Sequence, residues 1–238
     1  MESIPVLFSD ESIIVINKPA GILSLPDRYN ETAPHVKGVL EPSFGKLWLV
    51  HRLDKDTSGT LILARNEASH RVINMQFEKH EVFKIYHAIV TGKPSWKKKT
   101  ALFPLSVNAG RRHRTIVDFK AGKNSATHFK VIEHLGDYTL VEAIPKTGRT
   151  HQIRAHLLAL GHPIICDELY YTDKKGTNSK ILKRTGLHAF SITIRHPVSN
   201  ENLRIEAPYP KDMELALKNL RLPKNTFIHS NQAFPKYS

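Results

Sequence analysis

The 238-residue sequence predicts an α+β fold with a largely antiparallel sheet. Three observations lead there. β-branched and alternating apolar runs outnumber segments with helical period, short links join most of these runs, and no internal repeat or low-complexity tract interrupts them. Hydrophobic residues make up 40% and charged residues 24%, the balance of a globular chain. At roughly 150 residues per domain, the length suits one large domain or two small ones.

The elements follow in order. Ile13–Asn17 is a β-branched apolar run stopped by Lys18-Pro19-Ala20-Gly21, a strand and then a turn. Residues 26–46 contain Pro26, Pro34, Pro42 and two glycines, and read as an irregular loop. Leu47–Val50 and Thr60–Ala64 are strands. Asn66 caps a helix through Glu78, with Val72, Ile73, Gln76 and Phe77 at helical spacing. Lys84–Thr91 alternates and is a strand. Thr127–Glu133 and Tyr138–Ala143 pair across the Gly136-Asp137 turn. Thr147 or Thr150 caps a helix through Leu160, which Gly161 and Pro163 stop. Leu187–Arg195 and Leu203–Ala207 are strands, and Pro210–Leu220 is a short amphipathic helix carrying Met213 and Leu217. Residues 1–222 are expected to form the folded unit and 223–238 an aperiodic tail.

Composition narrows the function classes. A single cysteine, Cys166, makes neither an internal disulfide nor a cysteine-based zinc site, and fits a reducing, cytoplasmic compartment. Residues 1–10 lack the basic and apolar segments of a signal peptide. Apolar runs fall far short of the ~18 residues of a membrane span, so no membrane partner is expected. None of the fourteen histidines sits in a zinc-type pair, and His151 and His156 read as polar or basic surface. Phosphate-loop, dinucleotide and nucleophile-elbow patterns are absent, so no cofactor or metal is expected.

The net charge of +13 points to a polyanion, and its distribution is uneven. Residues 93–130 hold ten Lys/Arg and a single acid, Asp118, while the first fifty residues are net acidic.

Two polar segments can carry chemistry. His51-Arg-Leu-Asp-Lys-Asp-Thr-Ser-Gly59 lies between two apolar strands and sets a carboxylate among basic groups. A positioned, ionised carboxylate acts as nucleophile or base, although these residues also form ordinary turns. Lys146-Thr-Gly-Arg-Thr-His-Gln-Ile-Arg154 opens a helix with basic and hydrogen-bonding groups, which reads either as an anion site or as a solvated helix face.

Together these segments resemble the RluA-type RNA pseudouridine synthases. His51–Gly59 is similar to that family's catalytic motif, and Lys84-Ile-Tyr-His-Ala-Ile-Val-Thr-Gly92 to its Lys-x-Tyr-x-Ala-x-Val-x-Gly strand. Gly148–Arg154, continuing to Pro163, resembles its second long signature. Val15–Gly21 resembles its first motif, and Leu187-His-Ala189 with His196-Pro197 its last. The five stretches stand in family order over residues 10–207.

The resemblance implies a mixed, largely antiparallel bent sheet with flanking helices and a central cleft. It also implies isomerisation of uridine to pseudouridine within ribosomal or transfer RNA, without cofactor or metal. The glycosidic N–C bond breaks, the uracil turns, and a C–C bond forms. Asp54 matches the essential aspartate, whose step remains open among attack on the sugar, attack on the base and proton abstraction from the sugar. Tyr86 matches the tyrosine against the target base, Arg154 the arginine paired with the aspartate, and Leu187 an apolar site residue. Arg52 matches an arginine that enters the RNA stack in place of the flipped nucleotide, as base flipping requires. Lys97, Lys98, Lys99, Arg111 and Arg112 are the candidate phosphate-binding surface, with Arg149 nearer the site and Trp96 able to stack on a base; a solvated basic hairpin is the alternative. With the first motif beginning by Ile13 there is no room for the N-terminal S4-type domain of many members, so RNA affinity is expected from the catalytic domain itself or from a partner, with the chain a monomer. A non-catalytic RNA-binding module on the same fold and a base-excising glycosidase are the competing readings. Asp54, Tyr86 and Arg154 together favour the isomerase.

Overall fold

The computed structural model describes residues 3–27, 30, 32–110, 112, 114–171 and 178–222. Among these the chain runs β1 (Val6–Ser9), β2 (Ile13–Lys18), α1 (Val36–Phe44), β3 (Trp48–Leu49), β4 (Ser58–Ala64), α2 (Glu67–Glu78), β5 (Phe83–Thr91), β6 (Lys98–Ala101), β7 (Leu105–Ala109), β8 (Arg114–Val117), β9 (Thr127–Leu135), β10 (Tyr138–Pro145), α3 (Gln152–Ala159), β11 (Leu187–Arg195), β12 (Asn202–Glu206) and α4 (Lys211–Arg221). The expected tail, 223–238, lies outside the described residues. No helix among the described residues is long and apolar enough to cross a membrane.

The fold is α+β, with a mixed sheet. Its ten described strands run β1-β2-β4-β11-β5-β10-β9-β6, with β3 beside β4 and β12 beside β11; β7 and β8 form a separate hairpin. β4 and β11 pair in parallel through Ser58–His188 and Gly59–Ala189, while the remaining described ladders are antiparallel.

Period-two patterning explains why both sheet faces are covered. Ile14, Ile16, Leu61 and Leu63 point to one face and pack with Val36 and Leu40 of α1. Ile13, Val15, Ile62 and Ala64 point to the other and pack with Ile73 of α2. On β5, Ala88 and Val90 meet Ile153 and Leu157 of α3, while Ile89 meets Met213 and Leu217 of α4. Each fully buried Ile or Leu contributes about 1.5–3 kcal/mol.

The parallel step requires a glycine. Gly59 has φ +117°, and a Cβ there would lie 2.2 Å from the Ala189 carbonyl oxygen. β11 lies between β4 and β5, and its start pairs with both, through Ser58–His188 on one side and Leu187–Ala88 on the other.

Three local expectations need correction. Residues 26–46 are not wholly irregular, because Val36–Phe44 is helical despite Pro42. Burial of Val36 and Leu40 on one face, and a cap from the His35 imidazole to the Gly38 amide, outweigh the missing Pro42 amide. Helix α3 starts at Gln152 rather than at a threonine cap. Thr147 instead donates to the Gln152 side chain at 2.7 Å, and the Arg149 amide donates to the same oxygen at 3.1 Å. Finally, β1, β6, β7 and β8 were not expected from the pattern, being short and partly polar.

Candidate active site

The loop from Val50 to Thr57 is held from below by the turn after β2. The Lys18 side chain is fully buried, and its ammonium donates to the carbonyls of Pro19 (2.9 Å), Ile22 (2.8 Å) and Lys55 (3.0 Å). Burial pushes this lysine down to about 7, while three carbonyl acceptors engage all three of its protons. The Gly21 amide also donates to the Lys55 carbonyl, and Ser24 exchanges hydrogen bonds with both backbone groups of Leu53. At the loop's start the Ile62 amide donates to His51 Nε2 at 3.1 Å, and the His51 ring stacks on Phe77. Burial pushes His51 down to about 3, so the ring is a neutral acceptor.

These anchors leave Asp54 between Leu53, which is buried, and the exposed Lys55. Its side chain remains 25% exposed. Arg154 Nη1 donates to Asp54 Oδ2 at 3.1 Å, and the other edge of the guanidinium makes two 2.7 Å hydrogen bonds to Asp167. Burial opposes the Arg154 charge, but Asp167 and then Asp54 hold it above its ordinary value. Asp167 is 1% exposed, and its Oδ1 also accepts from the Tyr170 amide.

His151 completes this side. It occupies the left-handed region at φ 53°, a conformation costing on the order of 1–2 kcal/mol for a non-glycine residue. The Thr115 amide donates to the Tyr170 hydroxyl, which lies 3.1 Å from His151 Nδ1. On the other side of the ring, Nε2 faces Asp54 Oδ2 at 3.6 Å. Burial lowers this imidazole, with the Asp54 charge opposing.

Asp54 stands where two cavities meet. The larger, about 1030 Å³, runs along Leu23–Asp27, Arg52–Thr57, Arg112, Asp167–Leu169 and Lys183–Thr185. The smaller, about 300 Å³, is lined by Phe77, Lys84, Tyr86, Arg149, Ile153 and Leu187 together with the Asp54 loop. Burial, and then the Asp54 charge, raise Tyr86 so that it stays a phenol.

The residues expected from sequence divide into those brought together and those left apart. Asp54, Tyr86, Arg154, Leu187, Arg149 and Arg52 all line the smaller cavity. Arg52 is exposed at the rim of both, and the buried Nε of Arg149 has no hydrogen-bond partner among the described residues. Arg112 lines the larger cavity and donates to the Glu168 carbonyl. Lys97, Lys98 and Lys99 are exposed but line neither cavity. β6, which carries Lys98 and Lys99, is five ladders from β4, roughly 24 Å along the sheet at 4.8 Å per strand. Arg111 lies outside the described residues. Trp96 is half-buried, packs against Phe129 and His162, and lines neither cavity. His151 and His156 are likewise not surface: the first faces Asp54, and the second is fully buried against Thr127, Ser125 and Phe103.

Sequence reasoning missed Asp167 and Tyr170 and set aside His151. The available signal was faint: a carboxylate directly after the apolar Pro163–Cys166 run, where burial forces it to find a cation.

Comparison with known proteins agrees with this geometry. Residues 12–159 match the RNA pseudouridylate synthase family. The chain is 36% identical over 204 residues to the dual-specificity RNA pseudouridine synthase RluA of Escherichia coli strain K12, covering 85% of this chain and 92% of that one. It is 34% identical over 230 residues to the ribosomal large subunit pseudouridine synthase D of Zymomonas mobilis, covering 91% and 73%. The solved structure of human RNA pseudouridylate synthase domain containing 1 superposes with a TM-score of 0.74 at 29% identity, covering 88% of this chain and 84% of that one. The chain belongs to the RNA pseudouridylate synthase family, and its relatives place it among the RluA-type members. It is an isomerase acting on uridine in RNA.

Proposed function

We propose that the protein isomerises a uridine of structured ribosomal or transfer RNA, with Asp54 as the essential carboxylate acting on a flipped-out nucleotide. The observation that carries this reading is the position of Asp54. It is oriented by Arg154 at the junction of a cavity of about 1030 Å³ and a smaller one of about 300 Å³ lined by Tyr86 and Leu187. A stacked uridine cannot offer its glycosidic bond or turn its base, so extrusion from the stack is required. Tyr86 and Leu187 then hold the uracil, and Arg52, exposed between the cavities, takes the vacated place in the stack. Arg149 and Arg112 contact phosphate at the two ends. The substrate class is supported by relatives named for the ribosomal large subunit and for dual specificity.

The test incubates purified protein with unmodified ribosomal and transfer RNA. The reading predicts pseudouridine in RNA of unchanged length. Release of free uracil, or binding without modification of either RNA, would contradict it.

A further inference from the structure

Lys84 has no place in the scheme above, yet it lines the smaller cavity. It stands two residues from Tyr86 on β5, so the two side chains share a face of the strand. Its ammonium lies 5.6 Å from the Phe77 ring centroid and has neither a hydrogen-bond acceptor nor a carboxylate partner among the described residues. Burial lowers its proton affinity. His51, held neutral by burial and stacked on Phe77, lines the same cavity, as do Asp54, Tyr86, Arg149, His151 and Arg154. A half-buried cation that answers to no protein anion is costly unless a ligand supplies the acceptor.

We propose that the Lys84 ammonium donates to a carbonyl oxygen of the extruded uracil and stabilises the negative charge that gathers on the base as its bond to the sugar breaks. The inference rests on the assignment of this cavity as the uracil pocket. When N1–C1′ breaks, the electron pair stays on the base and spreads onto O2 and O4. After rotation C5 bonds to C1′, the C5 proton is lost and N1 takes one up, so nothing is oxidised or reduced. A lysine offers three donors and no acceptor, matching the uracil carbonyls and opposing the amino group that cytosine carries at C4. A cation already placed at the cavity wall costs little reorganisation as that charge develops.

The experiment compares Lys84→Met, Lys84→Gln and Lys84→Arg with the unaltered protein in single-turnover pseudouridine formation, RNA binding and thermal unfolding. The expected result is a rate about 100-fold lower in Met and Gln, with RNA affinity unchanged within about twofold, and rates largely restored in Arg. Met removes an unpaired charge and should unfold no earlier than the unaltered protein. A Met or Gln rate within threefold of the unaltered protein overturns the proposal. So does an equal loss in all three accompanied by weaker RNA binding, which would mark a packing role. Asp54→Asn assayed alongside separates the two claims: full activity in that variant defeats the site assignment itself. An inactive Asn variant beside an unimpaired Met variant defeats only the role of Lys84.

Discussion

Arg154 is bound twice by Asp167, at 2.7 Å on each oxygen, and once by Asp54, at 3.1 Å. The buried carboxylate therefore sets the guanidinium plane, and the plane sets where Asp54 points. Asp167 is a positioning residue in this account.

Asp167→Asn should lower the rate of pseudouridine formation by about 100-fold through misplacement of Arg154, with RNA affinity little changed. It should also cost on the order of 3 kcal/mol in denaturant unfolding, because one partner of a buried pair is removed. Asp167→Glu, which keeps the charge, should recover part of the rate. An Asn variant as active as the unaltered protein would show that Arg154 is oriented by other means.

Acid should weaken the fold before the surface carboxylates titrate. His188 is fully buried between Ser58 and the Ala207 carbonyl, and His87 stacks on Phe190. Burial pushes each down to about 4, with the neighbouring His188 adding to the effect at His87. The unfolded chain binds protons on these rings near pH 6.5 and the folded chain does not. Stability is therefore full above about pH 6.5 and falls toward pH 4, at roughly 1.4 kcal/mol per unit for each ring. Denaturant midpoints at pH 7, 5.5 and 4.5 should decline in that order; a flat series would contradict the assignment of both rings as neutral.

Lys97, Lys98 and Lys99 test whether RNA reaches beyond the cavities. They are exposed on and beside the edge strand β6, well away from Asp54 in the strand order. If they meet phosphate, changing all three to Gln should reduce the slope of log affinity against log salt by about 2, leaving the turnover of bound RNA unaltered. An unchanged slope would confine RNA contacts to the cavities and their rims.

Much of the fold was legible because its central strands are long and apolar. Ile13–Asn17, Lys84–Thr91 and Leu187–Arg195 declare themselves by β-branching and alternation, and Asn66 by its cap, which accepts from the Ser69 amide. Helix α1 was hidden because Gly38 and Pro42 are local breakers and only the burial of Val36 and Leu40 offsets them. Within the site, Asp54, Tyr86 and Arg154 stood in recognisable motifs. Asp167 and Tyr170 stood in no motif, and Lys84, though it opens the Lys-x-Tyr strand motif, showed no role there, because what matters about all three lies in contacts across the fold. Asp167 meets Arg154 only after the chain has turned back from α3, and Lys84 matters through the ion partner it lacks. Trp96 stands among lysines in sequence, while Phe129 and His162 pack against it in space.

Asp54 is the essential carboxylate of the proposed reaction, and RNA binding does not depend on its charge. Asp54→Asn keeps the side chain's size and can still accept a hydrogen bond from Arg154, but removes the carboxylate. Pseudouridine formation by this variant on unmodified ribosomal and transfer RNA, with binding measured in parallel, tests the claim most directly. The expected result is no detectable pseudouridine and RNA affinity within about threefold of the unaltered protein. Full activity in the variant would contradict it.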